Sequence, residues 1–186
     1  RKTMLDTLNL LEEAVIDLTP QGVLVDTSPA WAHLRGIDPR NIVGDLQQSL
    51  LQWVPVEDRG ALLGAIERLQ SSPEVKAQRF RLQRANGEVI WVEARMIAHH
   101  APDGAFHSVR GVLRDVTVAH LNEQHITQLA LYDTLTRLPN RLLLDDELHQ
   151  AIERAESDGS RVALGFIDLD HFKEVNDAFG HKTGDE

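Results

Sequence analysis

The feature that most constrains the fold is an alternation of apolar and polar residues on both sides of an Asn-Gly pair. Before the pair, Phe80 and Leu82 alternate with polar residues, and after it the apolar positions are 90, 92, 94, 96 and 98. This period is typical of strands with one buried face, and Asn86-Gly87 is a strong hairpin signal. A turn at residues 102–104 leads to a third strand near residues 106–114. The sequence therefore predicts an antiparallel meander.

Shorter elements precede the meander. Apolar residues at near-helical spacing predict an N-terminal helix over residues 1–13, and two short strands follow around a turn at residues 20–22. Ser28 before Pro29 is typical of a capped helix start. Short helical pieces fill residues 29–70, and the clearest of them begins at Asp58 and Arg59. The predicted fold class is α+β, an antiparallel sheet flanked by short helices.

In this order, the motifs resemble a PAS sensor domain. The likeness covers roughly residues 5–118, and we place the domain at residues 14–117. It rests on the strand-to-helix step DTSPA (residues 26–30), the segment VPVEDR (residues 54–59) and the final DVT (residues 115–117). Ser28 stands where the family often has Asn, and Val56 stands where it often has an acidic residue.

PAS domains often enclose a ligand, and the ligand of this one is unknown. The chain has no Cys to form a flavin adduct, and residues 55–72 contain no His, which disfavours haem. Trp31, Trp53 and Trp91 either line a pocket or simply pack in the core or on the surface. Packing is the commoner role for each of them.

A helix over residues 118–132 follows the sensor domain. Asp115 and Thr117 have side-chain oxygens that can cap it. The helix is either a plain connector or a signalling helix that pairs with its twin in a homodimer, and the resemblance favours the second. We expect residues at its two ends to transmit the signal, namely Asp115, Thr117, Asp133, Asn140 and Arg141.

Two acidic residues follow a continuous apolar run, residues 162–167, which predicts a buried strand. Asp168 and Asp170 lie at its carboxyl end, where open α/β sheets place ligands. They are either ligands of a divalent cation or solvated loop acids, with Asp170 capping a helix over residues 171–179. Upstream, Asn140 is placed to cap a helix that runs from Arg141 to about residue 156.

The segments LYDTLTRLPNR, FIDLDHFKEVND and GHKTGDE resemble the opening half of a GGDEF domain. The likeness covers about residues 130–186, and we place this portion at residues 133–186. The resemblance implies that Asp168 binds Mg²⁺ together with the carbonyl of Leu169. It further implies GTP contacts at the phosphates for His171, Phe172 and Lys173, and at the guanine for Asn176, His181 and Asp185.

The GGDEF family makes cyclic di-GMP from two GTP molecules held by two domains. The resemblance therefore implies a bacterial diguanylate cyclase that acts as a homodimer. The family's catalytic signature is expected beyond Glu186, so we expect the segment itself to be inactive and to hold no catalytic residue. One alternative is a degenerate domain that binds GTP and regulates a downstream cyclic di-GMP phosphodiesterase. Another is a PAS dimerisation module without enzymatic output.

The net charge and the composition limit which classes of partner the chain can have. The 186 residues carry a formal charge of −10, which makes a nucleic-acid polymer a poor partner. No apolar run reaches the length of a membrane span. The absence of Cys fits a reducing cytoplasm, where we expect this segment. Position 1 is Arg and the last residues lie inside a motif. We therefore expect a longer parent protein, whose membrane anchoring stays open.

Overall fold

The computed structural model describes residues 13–69, 71 and 74–185, with side chains from position 77 onward in the last range. The chain divides into two compact units between Leu121 and Asn122. The predicted N-terminal helix over residues 1–13 lies outside the described residues except for Glu13.

The first unit is built on a five-stranded antiparallel sheet in the order β2-β1-β5-β4-β3. The predicted meander is confirmed, because β4 pairs with both β3 and β5. Gly87 takes a φ of 88° in the first hairpin turn, a conformation that suits glycine. The strands are β1 (Ala14–Leu18), β2 (Leu24–Thr27), β3 (Glu74–Gln83), β4 (Val89–His100) and β5 (Phe106–Asp115).

Short helical pieces connect β2 to β3, as the sequence predicts. The longest begins at Val56, two residues before the predicted start, and carries Glu57 and Asp58 in its first turn, where acidic residues suit a helix N-terminus. In chain order the pieces are α1 (Ala30–Arg35), a 3₁₀ turn (Pro39–Asn41), α2 (Ile42–Asp45), a second 3₁₀ turn (Leu50–Trp53) and α3 (Val56–Arg68).

The core of the first unit lies between these helices and one face of the sheet. The alternating positions 80, 82, 90, 92, 94 and 96 are all buried, which confirms the face assigned from the sequence. From the helices, Trp31, Leu62 and Ile66 pack into the same cluster. Burial of this apolar face supplies the main stabilisation of the sheet.

Ser28 does not cap α1, and this part of the prediction is wrong. Its hydroxyl accepts a hydrogen bond from the Val15 N–H at 3.0 Å, across the β1–β2 pair. The residue at the N-cap position is Pro29, and no side chain caps the helix. The Ser28 side chain is buried at the end of β2, next to β1, and it therefore binds a backbone group of β1.

The second unit contains most of α4 (Thr117–Leu131), which begins in the first unit, and three further helices. They are α5 (Arg141–Asp158), α6 (Phe172–Phe179) and α7 (His181–Asp185). The bounds of α4 and α5 agree with the predicted helices to within two residues. No described residue from 122 to 185 is buried.

The predicted strand over residues 162–167 is absent, and these residues are exposed without regular structure. Phe166 and Ile167 keep 91% and 96% of their surface accessible. The physical reason is pairing, because a strand must satisfy its N–H and C=O groups on a neighbour, and the described residues of the second unit form no sheet with it. Phe172 and Phe179, both on α6, are also exposed.

Candidate functional site

The start of α4 is tied to the sensor sheet through the Asp115–Thr117 motif. The Asp115 carboxylate accepts hydrogen bonds from the Thr117 N–H at 2.9 Å and from the Thr117 hydroxyl at 2.6 Å. The Thr117 Oγ1 in turn accepts from the Trp91 N–H at 2.9 Å, and the Val116 N–H donates to the Trp91 C=O at 2.8 Å. The predicted capping contact is thus present, and it also joins α4 to β4.

Arg84 holds the other oxygen of Asp115. Its Nη2 lies 3.0 Å from Asp115 Oδ2, and its Nη1 lies 3.1 Å from Glu88 Oε2. Its Nε donates to the C=O of Leu34 at 3.3 Å, near the end of α1. Arg84 therefore connects α1 to the first residue of the Asp115–Thr117 motif.

Sequence reasoning missed both Arg84 and Trp91 as partners of this motif. The alternation assigns faces along each strand, but it does not give the pairing register between two strands. The register places Val92 opposite Asp115, so Trp91 meets the residues that follow β5. Only that register brings the two segments together.

The end of α4 is joined to the start of α5 by Asn140. Its Oδ1 accepts from the N–H groups of Leu142 at 3.0 Å and Leu143 at 3.2 Å, which confirms the predicted cap. Its Nδ2 donates to the Ala130 C=O at 2.7 Å, and its backbone N–H donates to the Leu131 C=O at 2.8 Å. One side chain therefore satisfies groups at the ends of two helices.

Asp133 organises the turn between these two helices. Its Oδ1 accepts from the N–H groups of Thr136 at 2.8 Å and Leu135 at 3.1 Å, and from the Thr136 hydroxyl at 2.9 Å. The backbone hydrogen bond from Thr136 is the main cause that holds the pKa of Asp133 below its ordinary value. Arg141 is the first residue of α5 and is exposed.

The predicted metal ligands lie in the irregular segment before α6. Asp168 and Leu169 are exposed and outside regular secondary structure. Among residues 13–69, 71 and 74–185, no three His, Asp or Glu side chains form a group that could hold a metal ion. The donor types still fit Mg²⁺, which prefers carboxylate and carbonyl oxygens and usually keeps several ligands from water or substrate phosphates.

His171 precedes α6 with a φ of 59°, and its Nδ1 lies 2.8 Å from Glu174 Oε1. A capping residue normally has extended backbone, and no side chain caps α6, so the predicted cap by Asp170 is wrong. Phe172 and Lys173 form the exposed first turn of the helix.

Asn176 is the one predicted nucleotide residue whose side chain is partly enclosed. It lies on α6 against Gly184 of α7, so close that a Cβ at position 184 would clash with Asn176 Oδ1. That oxygen is buried and has no hydrogen-bond partner among the described residues. His181 and Asp185 lie at the two ends of α7 and are exposed. The α6–α7 pair thus keeps Asn176 close to the helix that carries the other two.

In the interior of the first unit, Trp31 and Trp53 pack against other side chains. Trp31 is fully buried and its Nε1 donates to Asp45 Oδ2 at 2.9 Å. The ring centroids of Trp31 and Trp53 are 5.7 Å apart, with their planes inclined by 61°. Arg35 donates to the same Asp45 oxygen at 3.3 Å and lies 4.5 Å from the centre of the Trp53 ring. Burial is the main cause that lowers the pKa of Arg35 from its ordinary value.

Family comparisons match both parts of the chain. Residues 24–113 match the model described as PAS fold, and residues 130–186 match the model described as diguanylate cyclase, GGDEF domain. A similar fold occurs in a sensory box histidine kinase/response regulator from Burkholderia thailandensis, with a TM-score of 0.56 at 16% identity. That match covers 81% of this chain and 99% of the other.

Two curated relatives come from Pseudomonas aeruginosa. The bifunctional diguanylate cyclase/cyclic di-GMP phosphodiesterase MucR is 58% identical over 69 residues, which are 37% of this chain and 10% of MucR. The diguanylate cyclase DgcP is 38% identical over 104 residues, which are 56% of this chain and 14% of DgcP. The chain thus spans a small part of the relatives' lengths. It carries a PAS fold followed by sequence of the GGDEF diguanylate cyclase family.

Proposed function

We propose that the chain is the sensory and signal-transmitting segment of a diguanylate cyclase that makes cyclic di-GMP from two GTP molecules. The observation that carries the proposal is that one helix, α4, joins the PAS fold to GGDEF-family sequence and is fixed by side chains at both ends. Asp115 and Thr117 hold its start, and Asn140 holds its end. Capped ends favour a helix that moves as one element, which suits transmission of a signal.

The same helix supports a homodimer. Val118, Leu121 and Leu129 lie near one face of α4, and at least half of each side chain's surface is exposed. Pairing of two such helices would bury these side chains, which is favourable. The family reaction joins two GTP molecules held by two domains, so pairing would also bring the substrates together.

GTP and Mg²⁺ are the proposed ligands of the GGDEF portion. Asp168 and the Leu169 carbonyl would hold Mg²⁺, which when bound neutralises phosphate charge. His171, Phe172 and Lys173 would approach the phosphates. The guanine would be contacted by Asn176, His181 and Asp185, because amide and carboxylate groups can pair with the polar edge of guanine.

A second function is favoured by the MucR match, since the name of that relative includes a cyclic di-GMP phosphodiesterase. In that case the GGDEF portion would bind GTP without turning it over and would regulate a phosphodiesterase further along the parent protein. A third hypothesis, association without enzymatic output, rests on the exposed α4 residues alone.

The test is cyclic di-GMP formation by the full-length parent protein with GTP and Mg²⁺. We expect activity in the natural protein, and loss of roughly tenfold or more in kcat/KM for Asn176→Ala, because a lost hydrogen bond to substrate raises the barrier. The neighbouring Asp177→Ala, also on α6, is the matched control and should keep its activity.

The alternatives give different results in the same assay. GTP binding without product would favour the regulatory function, and cyclic di-GMP hydrolysis stimulated by GTP would support it. If the parent protein neither binds GTP nor forms cyclic di-GMP, that result would contradict both nucleotide functions. Sedimentation of the 186-residue chain then decides the third hypothesis, since a monomer at tens of micromolar protein counts against it.

A further inference from the structure

An aromatic pair connects the sensor sheet to the first turn of α4. The rings of Trp91, on β4, and His120, on α4, have centroids 4.0 Å apart and planes inclined by 35°. Both ring nitrogens of His120 are buried and have no hydrogen-bond partner in the part of the chain that the structure describes. Within that part, the imidazole is therefore held by its contact with the indole and not by a hydrogen bond.

Backbone hydrogen bonds already join β4 to the start of α4 next to this pair. The backbone N–H of Trp91 donates to Thr117 Oγ1, and the backbone C=O of Trp91 accepts from the Val116 N–H. The His120 N–H donates to the Val116 C=O at 2.7 Å, so His120 lies one helical turn beyond that anchor. Hydrogen bonds at the helix end fix its position, whereas a ring contact one turn further along also fixes its rotation about the axis.

The Trp91–His120 pair makes a favourable and an unfavourable contribution to the free energy of the closed arrangement. Stacked aromatic rings attract each other, but burial of unpaired polar nitrogens is unfavourable because they lose their water. The two contributions oppose each other, so burial of the nitrogens offsets part of the attraction between the rings. Opening the pair would let water reach the imidazole, which makes an open state accessible.

The charged neighbours link this pair to the sensor helices. The Arg81 guanidinium, from β3, lies 6.0 Å from the centre of the Trp91 ring. Its Nη2 is 2.7 Å from Asp58 Oδ1, on α3, and 3.3 Å from Glu57 Oε2. A shift of α3 would therefore move a charge that lies beside the indole.

We propose that the Trp91–His120 stack is a releasable latch that sets the rotation of α4 against the sensor sheet. Contacts through Asp58 and Arg81 bring the state of α3 to the latch. The latch deepens the proposed function, because α4 is the proposed signalling helix. His120 and Trp91 are positioning residues and have no part in binding the nucleotide.

Hydrogen exchange of the 186-residue chain tests the latch without GTP and without any measurement of activity. Peptides that cover residues 117–131 report opening of α4, and peptides from β4 and β5 report whether the sheet stays intact. We expect His120→Ala to speed exchange in α4 by roughly two- to tenfold, as expected for loss of one aromatic contact. His125→Ala, an exposed histidine on the same helix, is the matched control and should leave exchange unchanged.

His120→Phe separates the ring contact from the cost of the buried nitrogens. It keeps an aromatic ring and removes both unpaired polar atoms, so we expect slower exchange in α4 than in the natural chain. Exchange in His120→Phe as fast as in His120→Ala would overturn the latch, as would identical exchange in His120→Ala and His125→Ala.

Coupling to the sensor is tested by Asp58→Asn, which weakens the contact to Arg81. We expect faster exchange over residues 117–131 in this variant, and unchanged exchange there would overturn the proposed path. A failure of the cyclase assay would leave these results intact, because exchange is measured on the chain without nucleotide. Conversely, loss of the latch would leave cyclic di-GMP formation to be judged by its own assay.

Discussion

At the scale of single residues, a few polar side chains each satisfy groups on two elements. Asn140 caps α5 and also binds the carbonyl of Ala130 in α4. Asp58 accepts from the guanidinium and from the backbone N–H of Arg81, at 2.7 and 2.8 Å. Each of these side chains therefore links a helix to a neighbouring element, and its loss should be felt beyond its own helix.

Asn140→Ala should destabilise the α4–α5 turn by about 1 kcal/mol, the usual effect of losing an N-cap. Asn140→Asp is the matched variant, because it keeps the acceptor for Leu142 and Leu143 and loses the donor to Ala130. Hydrogen exchange in the first turn of α5 measures the capping contact of Asn140 with the N–H groups of Leu142 and Leu143. We expect protection there to fall in the Ala variant and to persist in the Asp variant, and equal loss in both would contradict the capping role.

The Asp58–Arg81 contact predicts a dependence of stability on pH. The side-chain hydrogen bond from Arg81 is the main cause that lowers the pKa of Asp58. A carboxyl group with a lowered folded pKa stabilises the fold above its unfolded pKa, about 3.9, and loses that contribution as pH falls through the folded pKa. The free energy of unfolding should therefore fall as the pH is lowered below about 4.

Denaturant unfolding at pH 7 and in the acid range checks this prediction. Asp58→Asn should be less stable than the natural chain at pH 7 and should lose less stability in acid. Glu67→Gln, at an exposed position on the same helix, is the control. An unaltered acid dependence in Asp58→Asn would contradict the assignment.

At the scale of elements, the local sequence pattern was sufficient to predict strands and helices whose partners lie close in the sequence. The alternation around Asn86-Gly87 predicted two strands and their buried face, the turn at residues 102–104 predicted the third strand, and Asn140 predicted the start of α5. Pattern failed where a distant partner decides the outcome, as for Ser28, whose hydroxyl serves β1. The apolar run at residues 162–167 reads as a strand, but no described residue of its unit pairs with it. The predicted nucleotide residues stay predictions, because sequence alone assigns them by resemblance.

Gly111 tests how tightly the sheet packs at β5. A Cβ there would lie 3.2 Å from both Ile16 Cγ1 and Leu113 Cδ1, two fully buried side chains that cannot easily move. Gly111→Ala should destabilise the first unit by about 1 kcal/mol or more through overpacking. Gly60→Ala, on α3 with nothing within 4 Å of its Cβ, should instead stabilise the chain by about 0.5–1 kcal/mol. Chemical denaturation of both variants measures the contrast, and a neutral Gly111→Ala would contradict tight packing at this position.

At the scale of the whole molecule, α4 is the central element, because it connects a PAS fold to GGDEF-family sequence. None of the helices in the described part of the chain is long and apolar enough to cross a membrane. Leu129 lies on the exposed apolar face of α4, whereas the next residue, Ala130, points to another side of the helix, since successive residues differ by 100°.

Leu129→Glu should therefore weaken the proposed dimer by roughly tenfold or more, because it places like charges at the helix pair. Ala130→Glu adds the same charge one position along and should change association much less. Sedimentation equilibrium of the two variants measures the difference. Equal association constants would contradict pairing through this face.

The most direct test of signal transmission through α4 is cyclic di-GMP formation by the full-length parent after insertions into the middle of this helix. Seven added residues make about two turns and restore the facing of the paired helices, whereas three or four add about one turn and leave a residual rotation. Insertions of one or two residues turn one end against the other by about 100° and about 200°, far out of register. We predict that activity and its regulation change strongly with one or two added residues and return with seven. Activity that is independent of the number of inserted residues would contradict transmission through the helix.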